Sequence, residues 1–193
     1  MRQKLIELYR RLETEHGKQN WWPAESPYEV MVGAILTQNT NWRNVEKAIA
    51  NLKSADLLYP HMLLETENRK LETLIRPSGF YRQKTERLKL ATKKWLELAG
   101  KAHYSRMKTE LLRKHWLSVK GIGKETADSI LLYAFNRPIF VIDEYTRRFC
   151  DYYNLFKAKE YDEYRIFFER ILPKRVKLYK EYHALIVQWG KNR

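Results

Sequence analysis

Apolar residues recur along this chain at three- and four-residue spacing almost from end to end, which is the signature of amphipathic helices. Leu5, Leu8, Tyr9 and Leu12 share one face of a first helix that stops near Gly17. Ser26-Pro27-Tyr28-Glu29 combines an N-cap, a proline at the first helical position and a capping-box glutamate, so a second helix starts at Pro27. It turns Met31, Ala34 and Ile35 inward and ends near Gln38, after which Thr40 can cap a third helix through Trp42, Val45, Ile49 and Leu52. The same spacing predicts helices over 68–75, 81–98 with Gly100 as its stop, 108–117, 124–135, 144–152, 161–171 and 176–189. Only 139–142 reads as extended. The fold class expected is therefore all-α.

Composition narrows what such a bundle does. The 193 residues suffice for one sizeable core or two small ones sharing a cleft. The longest apolar runs, 30–36 and 130–135, fall far below the roughly 20 residues of a bilayer span, and the first ten residues lack a signal-peptide core, so a membrane or secreted role is not expected. The single cysteine, Cys150, excludes an internal disulfide, a multi-cysteine zinc site and a four-cysteine iron–sulfur cluster on this chain. A reducing cytoplasm fits, and neither a metal nor another cofactor is called for. With 37 Lys and Arg against 23 Asp and Glu, the formal charge is +14. That excess, with 13 Tyr, 7 Phe and 6 Trp, suits a partner whose phosphates are held by cations and whose bases meet aromatic rings. A thermophile-like charged surface would raise both signs together and leave no such imbalance.

No Gly/Ser linker, repeat or low-complexity tract marks a boundary. Two lobes remain possible if the chain leaves one, builds another and returns.

Two segments carry candidate chemistry. Leu117-Ser118-Val119-Lys120-Gly121-Ile122-Gly123-Lys124-Glu125-Thr126-Ala127 sets a Gly-hydrophobic-Gly hairpin between two helices. The glycines allow a tight turn and close approach, so backbone N–H groups at a helix N-terminus can meet a DNA phosphate, with Lys120 and Lys124 adding charge and Ile122 anchoring the turn in the core. An isolated Gly-x-Gly is more often an ordinary helix connection; the basic flank is what tips the reading. The second segment, Val141-Ile142-Asp143-Glu144-Tyr145-Thr146-Arg147-Arg148, puts a carboxylate at the end of an apolar run and the start of a helix. Asp143 is either a plain N-cap or a reactive group at a cleft wall, and the roles are compatible: a carboxylate held by helix N–H groups stays ionised and can face a developing cation.

The hairpin at 117–127, followed by Asp143 eighteen residues after Glu125, resembles the helix-hairpin-helix, Gly/Pro…Asp (HhH-GPD) superfamily of base-excision DNA glycosylases. Upstream, Trp21-Trp22-Pro23, Gly33-Ala34-Ile35-Leu36-Thr37-Gln38-Asn39-Thr40 and Arg76-Pro77-Ser78-Gly79-Phe80-Tyr81 are similar to the bacterial 3-methyladenine DNA glycosylase III branch of these endonuclease III-like proteins. The resemblance covers nearly the whole chain. It implies two helical lobes, 21–137 carrying the hairpin and 1–20 plus 138–193 carrying Asp143, with a cleft between them and no iron–sulfur cluster.

The resemblance also assigns expected roles. Lys120, Gly121, Ile122, Gly123, Lys124 and Thr126 would grip the DNA, and Gln38 would fill the gap left when the damaged base is flipped into its pocket. Bifunctional relatives carry a lysine two residues after the second hairpin glycine, where it attacks the sugar and forms a Schiff base. Glu125 stands there in this chain, which implies a monofunctional glycosylase that uses water and leaves an abasic site. Asp143 would stabilise the oxocarbenium-like sugar and orient or deprotonate the water, with Glu125 adding polar orientation. A base alkylated at a ring nitrogen is cationic and already weakly attached, so an electron-rich pocket favours it. Trp21, Trp22, Pro23 and Trp42 are the pocket candidates, although core packing is the usual fate of tryptophan. His183 stands on the last helix, where a lone histidine is more often structural. The expected partner is duplex DNA with a damaged base, met by a monomer in the nucleoid. Two rivals stay open: a glycosylase for uracil, mismatched thymine or an oxidised purine, with or without lyase activity, and a non-catalytic DNA-binding module.

Overall fold

A computed structural model describes residues 1–99 and 106–192; Gly100, the expected helix stop, lies outside the described residues, as does His103. The described chain is helical throughout and holds no strand. Its elements are α1 (Arg2–His16), α2 (Pro27–Leu36), α3 (Trp42–Ser54), α4 (Pro60–Glu65), α5 (Asn68–Ile75), a 3-10 turn (Arg76–Ser78), α6 (Tyr81–Ala99), α7 (Thr109–Leu117), α8 (Lys124–Ser129), a π turn (Ile130–Ala134), α9 (Glu144–Tyr152), α10 (Tyr161–Ile171) and α11 (Val176–Lys191). Among the described residues no helix is long and apolar enough to cross a membrane.

The chain divides into two compact units, one of Met1–Pro23 with Leu131–Arg193 and one of Ala24–Ile130. In the second unit, α2 is buried almost all round, with Met31, Ile35 and Leu36 fully enclosed, and packs against α3 and α6. Ser26 caps α2 by accepting the Glu29 N–H at 3.1 Å. The Glu29 carboxylate reaches the Glu25 N–H at 3.0 Å instead of closing the box on Ser26, and also pairs with Lys53. Likewise α3 is capped by Asn41, which accepts the Asn44 N–H at 3.1 Å, and not by Thr40. Asn41 immediately precedes the first helical residue, where a side-chain oxygen can meet the free N–H groups of the first turn.

Lys84 is fully buried in this unit and donates to the carbonyls of Leu36 at 2.8 Å and Ser78 at 2.6 Å. It thus ties the C-terminus of α2 to the 3-10 turn. Burial, with a smaller push from Arg87, brings its pKa down from 10.5 to about 8. The unfolded chain then binds more protons than the folded one above pH 8, so this group adds stability as pH rises from about 8 to 10.5. Lys84→Met is expected to remove that rise, measured as unfolding free energy in denaturant at stepped pH; an unchanged slope would refute the assignment.

The first unit packs α11 against α1 and α9. Aromatic rings fill its core: Phe140 stacks on Phe168 at 4.3 Å between centroids, and Tyr182 stands edge-on to Phe140, Phe149 and Phe168. The segment before Asp143 pairs with no strand. Side chains of α10 satisfy it instead, Glu169 accepting the Phe140 N–H at 2.9 Å and the Tyr161 hydroxyl accepting the Ile142 N–H at 3.2 Å. Cys150 is buried there, and burial pushes its thiol up to about 12, so it stays protonated.

Candidate active site and nucleic-acid interface

In the first unit, Asp143 is the N-cap of α9. Its Oδ1 accepts both the backbone N–H and the hydroxyl of Thr146 at 2.7 Å. Its Oδ2 lies 3.3 Å from His183 Nε2, close but not aligned as a full hydrogen bond. Burial works to raise the Asp143 pKa, but the nearness of His183 and the bonds from Thr146 prevail and hold it below the ordinary 3.8. The carboxylate is therefore ionised across the neutral range while only 15% of its side chain is exposed.

Four aromatic rings continue from this carboxylate. His183 Nδ1 lies 2.8 Å from the Tyr133 hydroxyl, and the Tyr133 ring lies 5.2 Å from that of Trp22. Trp22 in turn meets Trp21 edge-on at 6.1 Å, and Lys191 stands 5.3 Å over the Trp21 ring. Lys180 donates to the Tyr133 carbonyl at 3.3 Å and to Asn136 Oδ1 at 2.7 Å. Burial, with the negative charges of Asp143 and Glu181, pushes the Tyr133 hydroxyl well above its usual range, so it remains a donor.

Tyr133 reaches this position because α8 does not continue as one regular helix to Phe135. It ends at Ser129 and widens into the π turn, which closes at Asn136 with a left-handed φ of 52° and an Arg137 N–H bond to the Leu131 carbonyl at 2.8 Å. Such widened turns often sit at functional sites. Pro23 is exposed at the end of this unit's N-terminal segment.

The hairpin belongs to the second unit. Val119 and Ile122 are buried, and the Ile122 N–H closes the turn on the Val119 carbonyl at 3.0 Å. Lys120, Gly121 and Gly123 are exposed, and Gly123 caps α8 with no side-chain bond. In the first turn of α8, Glu125 is exposed, Lys124 half-buried and Thr126 buried. Gln38 is fastened to the hairpin: its amide donates to the Gly121 carbonyl and to Thr126 Oγ1, both at 3.0 Å, and its oxygen accepts from Arg87 at 2.7 Å. Trp42 stands in the first turn of α3 in this same unit, with its indole N–H on Glu46 at 3.0 Å.

Gly121 takes a φ of 87°, and a Cβ there would lie 2.5–2.8 Å from Nε, Cγ and Cδ of Arg87. Gly121→Ala is expected to cost about 1–2 kcal/mol from backbone strain and displacement of Arg87. A second substitution, Arg87→Ala, should recover only the crowding part in thermal melts. Full recovery by Arg87→Ala would show that the left-handed backbone costs nothing.

Sequence reasoning singled out Asp143, the tryptophans and the hairpin but missed Tyr133 and Lys180, and it set His183 aside. The available signal was spacing: Lys180 and His183 are three residues apart on one helix face.

The HhH-GPD superfamily model, described as a base excision DNA repair protein, matches residues 32–174. A protein of Methanocaldococcus jannaschii, provisionally named as a DNA repair glycosylase, is 50% identical over 192 residues, covering 97% of this chain and 87% of that one. Endonuclease III of Thermotoga maritima is 27% identical over 165 residues, covering 86% and 73%. Among solved structures, the H. pylori 3-methyladenine DNA glycosylase bound to 1,N6-ethenoadenine superposes with a TM-score of 0.83 at 30% identity, covering 97% of each chain. An endonuclease III–DNA complex shares the fold with a TM-score of 0.81 at 17% identity, covering 99% of this chain and 86% of that one. The hairpin and the carboxylate thus stand within a match that spans most of the chain, which belongs to the HhH-GPD superfamily of base excision DNA repair proteins.

Proposed function

We propose that this chain is a monofunctional DNA glycosylase that flips an alkylated base, 3-methyladenine foremost, out of duplex DNA and hydrolyses its glycosidic bond to leave an abasic site. The observation that carries the reading is Asp143: a largely buried carboxylate kept ionised by Thr146 and His183, in the unit that also holds the Trp22–Tyr133 pair. Hydrolysis builds positive charge on the departing sugar, and a fixed anion of low solvent exposure stabilises that charge more strongly than water would.

Each other group has a part in this reading. Asp143 Oδ2 orients the attacking water and accepts its proton, and Glu125, standing where bifunctional relatives carry their lysine, offers no amine for a Schiff base. The hairpin N–H groups, with Lys120 and Lys124, hold phosphate, and Gln38 fills the vacated stack. Trp21, Trp22 and Pro23, in the unit of Asp143, favour a flat, electron-poor base, and Trp42 is the aromatic candidate of the hairpin unit. Likeness to the H. pylori enzyme supports the substrate class.

Incubation with methylated duplex DNA, chromatography of the freed bases and a parallel borohydride trap test the proposal. The expected outcome is free 3-methyladenine and no trapped adduct. A covalent protein–DNA adduct would replace it with lyase chemistry, and no base freed from methylated DNA, with uracil or an oxidised purine freed from duplexes that carry those lesions, would change the substrate.

A further inference from the structure

We infer that His183 is a positioning residue for base release: the Tyr133 hydroxyl fixes its tautomer, and its Nε2–H then holds Oδ2 of Asp143 in place. The inference rests on Asp143 being the catalytic carboxylate.

The proton count supports it. The Tyr133 hydroxyl has one hydrogen and two neighbours, His183 Nδ1 at 2.8 Å and the Lys180 carbonyl at 3.3 Å. The carbonyl can only accept, whereas Nδ1 can accept or donate; the hydroxyl hydrogen is placed on the shorter contact, to Nδ1, because an Nδ1–H donor would leave Nε2 bare against Asp143. A neutral imidazole that accepts at Nδ1 carries its own hydrogen on Nε2, the atom 3.3 Å from Asp143 Oδ2. The opposite tautomer would set a bare nitrogen lone pair against a carboxylate oxygen. Thr146 already holds Oδ1 with two bonds, so His183 fixes the second oxygen and with it the plane of the carboxylate. The contact is long and imperfectly aligned in the free protein, as catalytic hydrogen bonds often are before the reacting complex forms.

Protonation changes the outcome. Asp143 on α9, Tyr133 on the π turn, and Lys180 and Glu181 on α11 itself are the ionisable groups around this imidazole. A second proton on His183 makes it a full cation against Asp143 and cancels the negative charge that the sugar cation needs. Asp143 itself is held below 3.8, so a fall in release on acidification above that range does not belong to it.

The test is single-turnover base release from methylated duplex DNA between about pH 5.5 and 8.5, with binding to an abasic-site analogue duplex measured alongside. His183→Ala should lose about tenfold to a hundredfold in release, the scale of a misplaced reacting group, at unchanged duplex affinity. His183→Gln supplies an amide donor that does not titrate, so it should recover much of the rate at neutral pH and lack the acid limb of the wild type. His183→Ala within about twofold of wild type, or a His183→Gln profile with the same acid limb, would overturn the inference. Nitrogen shifts of histidine-labelled protein decide the tautomer whatever the activity: Nε2–H in the wild type, with that preference lost in Tyr133→Phe, supports it, and an Nδ1–H wild type overturns it. A wild type that releases no base would discard the glycosylase reading, while the tautomer would still be decided by these shifts.

Discussion

Asp143→Asn is expected to lower base release by about a thousandfold or more while leaving DNA binding and the fold nearly intact. The substitution separates two jobs of one side chain. As an N-cap, asparagine is about as good as aspartate, so its oxygen keeps the Thr146 N–H and α9 stays anchored. As an anion it contributes nothing, and neither the sugar cation nor the water proton is served. Single-turnover release and affinity for an abasic-site analogue, measured on the same preparations, give the two readouts. Equal loss in both would mean that the carboxylate matters for binding or folding; unaltered release would move the chemistry to another group. Glu125→Gln is the milder control.

Arg113→Met should destabilise the hairpin unit by about 3–5 kcal/mol, the cost of stranding one half of a buried ion pair. Arg113 on α7 and Asp128 on α8 meet at 2.7 and 3.1 Å, with side chains 8% and 0% exposed. The pair fixes the angle between the two helices that flank the hairpin, so it holds the Gly121–Gly123 turn without touching it. Loss of the guanidinium removes the cation that Asp128 faces at a fully buried position. Arg113→Met with Asp128→Leu, which removes both charges, should regain most of the loss, because well-packed apolar pairs are often no worse than buried ionic ones. A drop of roughly 10 °C in Tm is the scale for the single variant in a chain of this size. A single variant within about 1 kcal/mol of wild type would show that the pair is not needed for stability.

The helical reading came through wherever a periodic apolar face coincided with a cap, as at Ser26–Pro27 and Asp143. It missed α4, whose signal was Pro60 at the first helical position with too few residues to show a period. It also ran 124–135 as one regular helix, because the π turn depends on the left-handed Asn136 and the bond from Arg137 to Leu131, neither of which periodicity encodes. The candidate site was legible only in part for a related reason. Asp143 and Glu125 stand at fixed offsets from the glycines, so sequence distance finds them. Tyr133 and His183 are 50 residues apart and meet only through the packing of α11, which leaves no local trace. Gln38 shows the same limit: its position could be matched, but its fastening to Gly121, Thr126 and Arg87 required coordinates.

The unit that carries Asp143 is built from two stretches of chain, Met1–Pro23 and Leu131–Arg193, and the Tyr182 hydroxyl bonds the Leu5 carbonyl across 177 positions. Closing that contact directly would cost the loop entropy of nearly the whole polypeptide, and prior collapse of Ala24–Ile130 shortens the loop and lowers that cost by about 1 kcal/mol. Synthesis from the N-terminus imposes the same order, since α11 emerges last among the described helices. On the ribosome, the unit that carries the hairpin is therefore complete before the unit that carries Asp143 can close. A chain arrested before α11 holds the hairpin and Asp143 but lacks His183, the neighbour of that carboxylate.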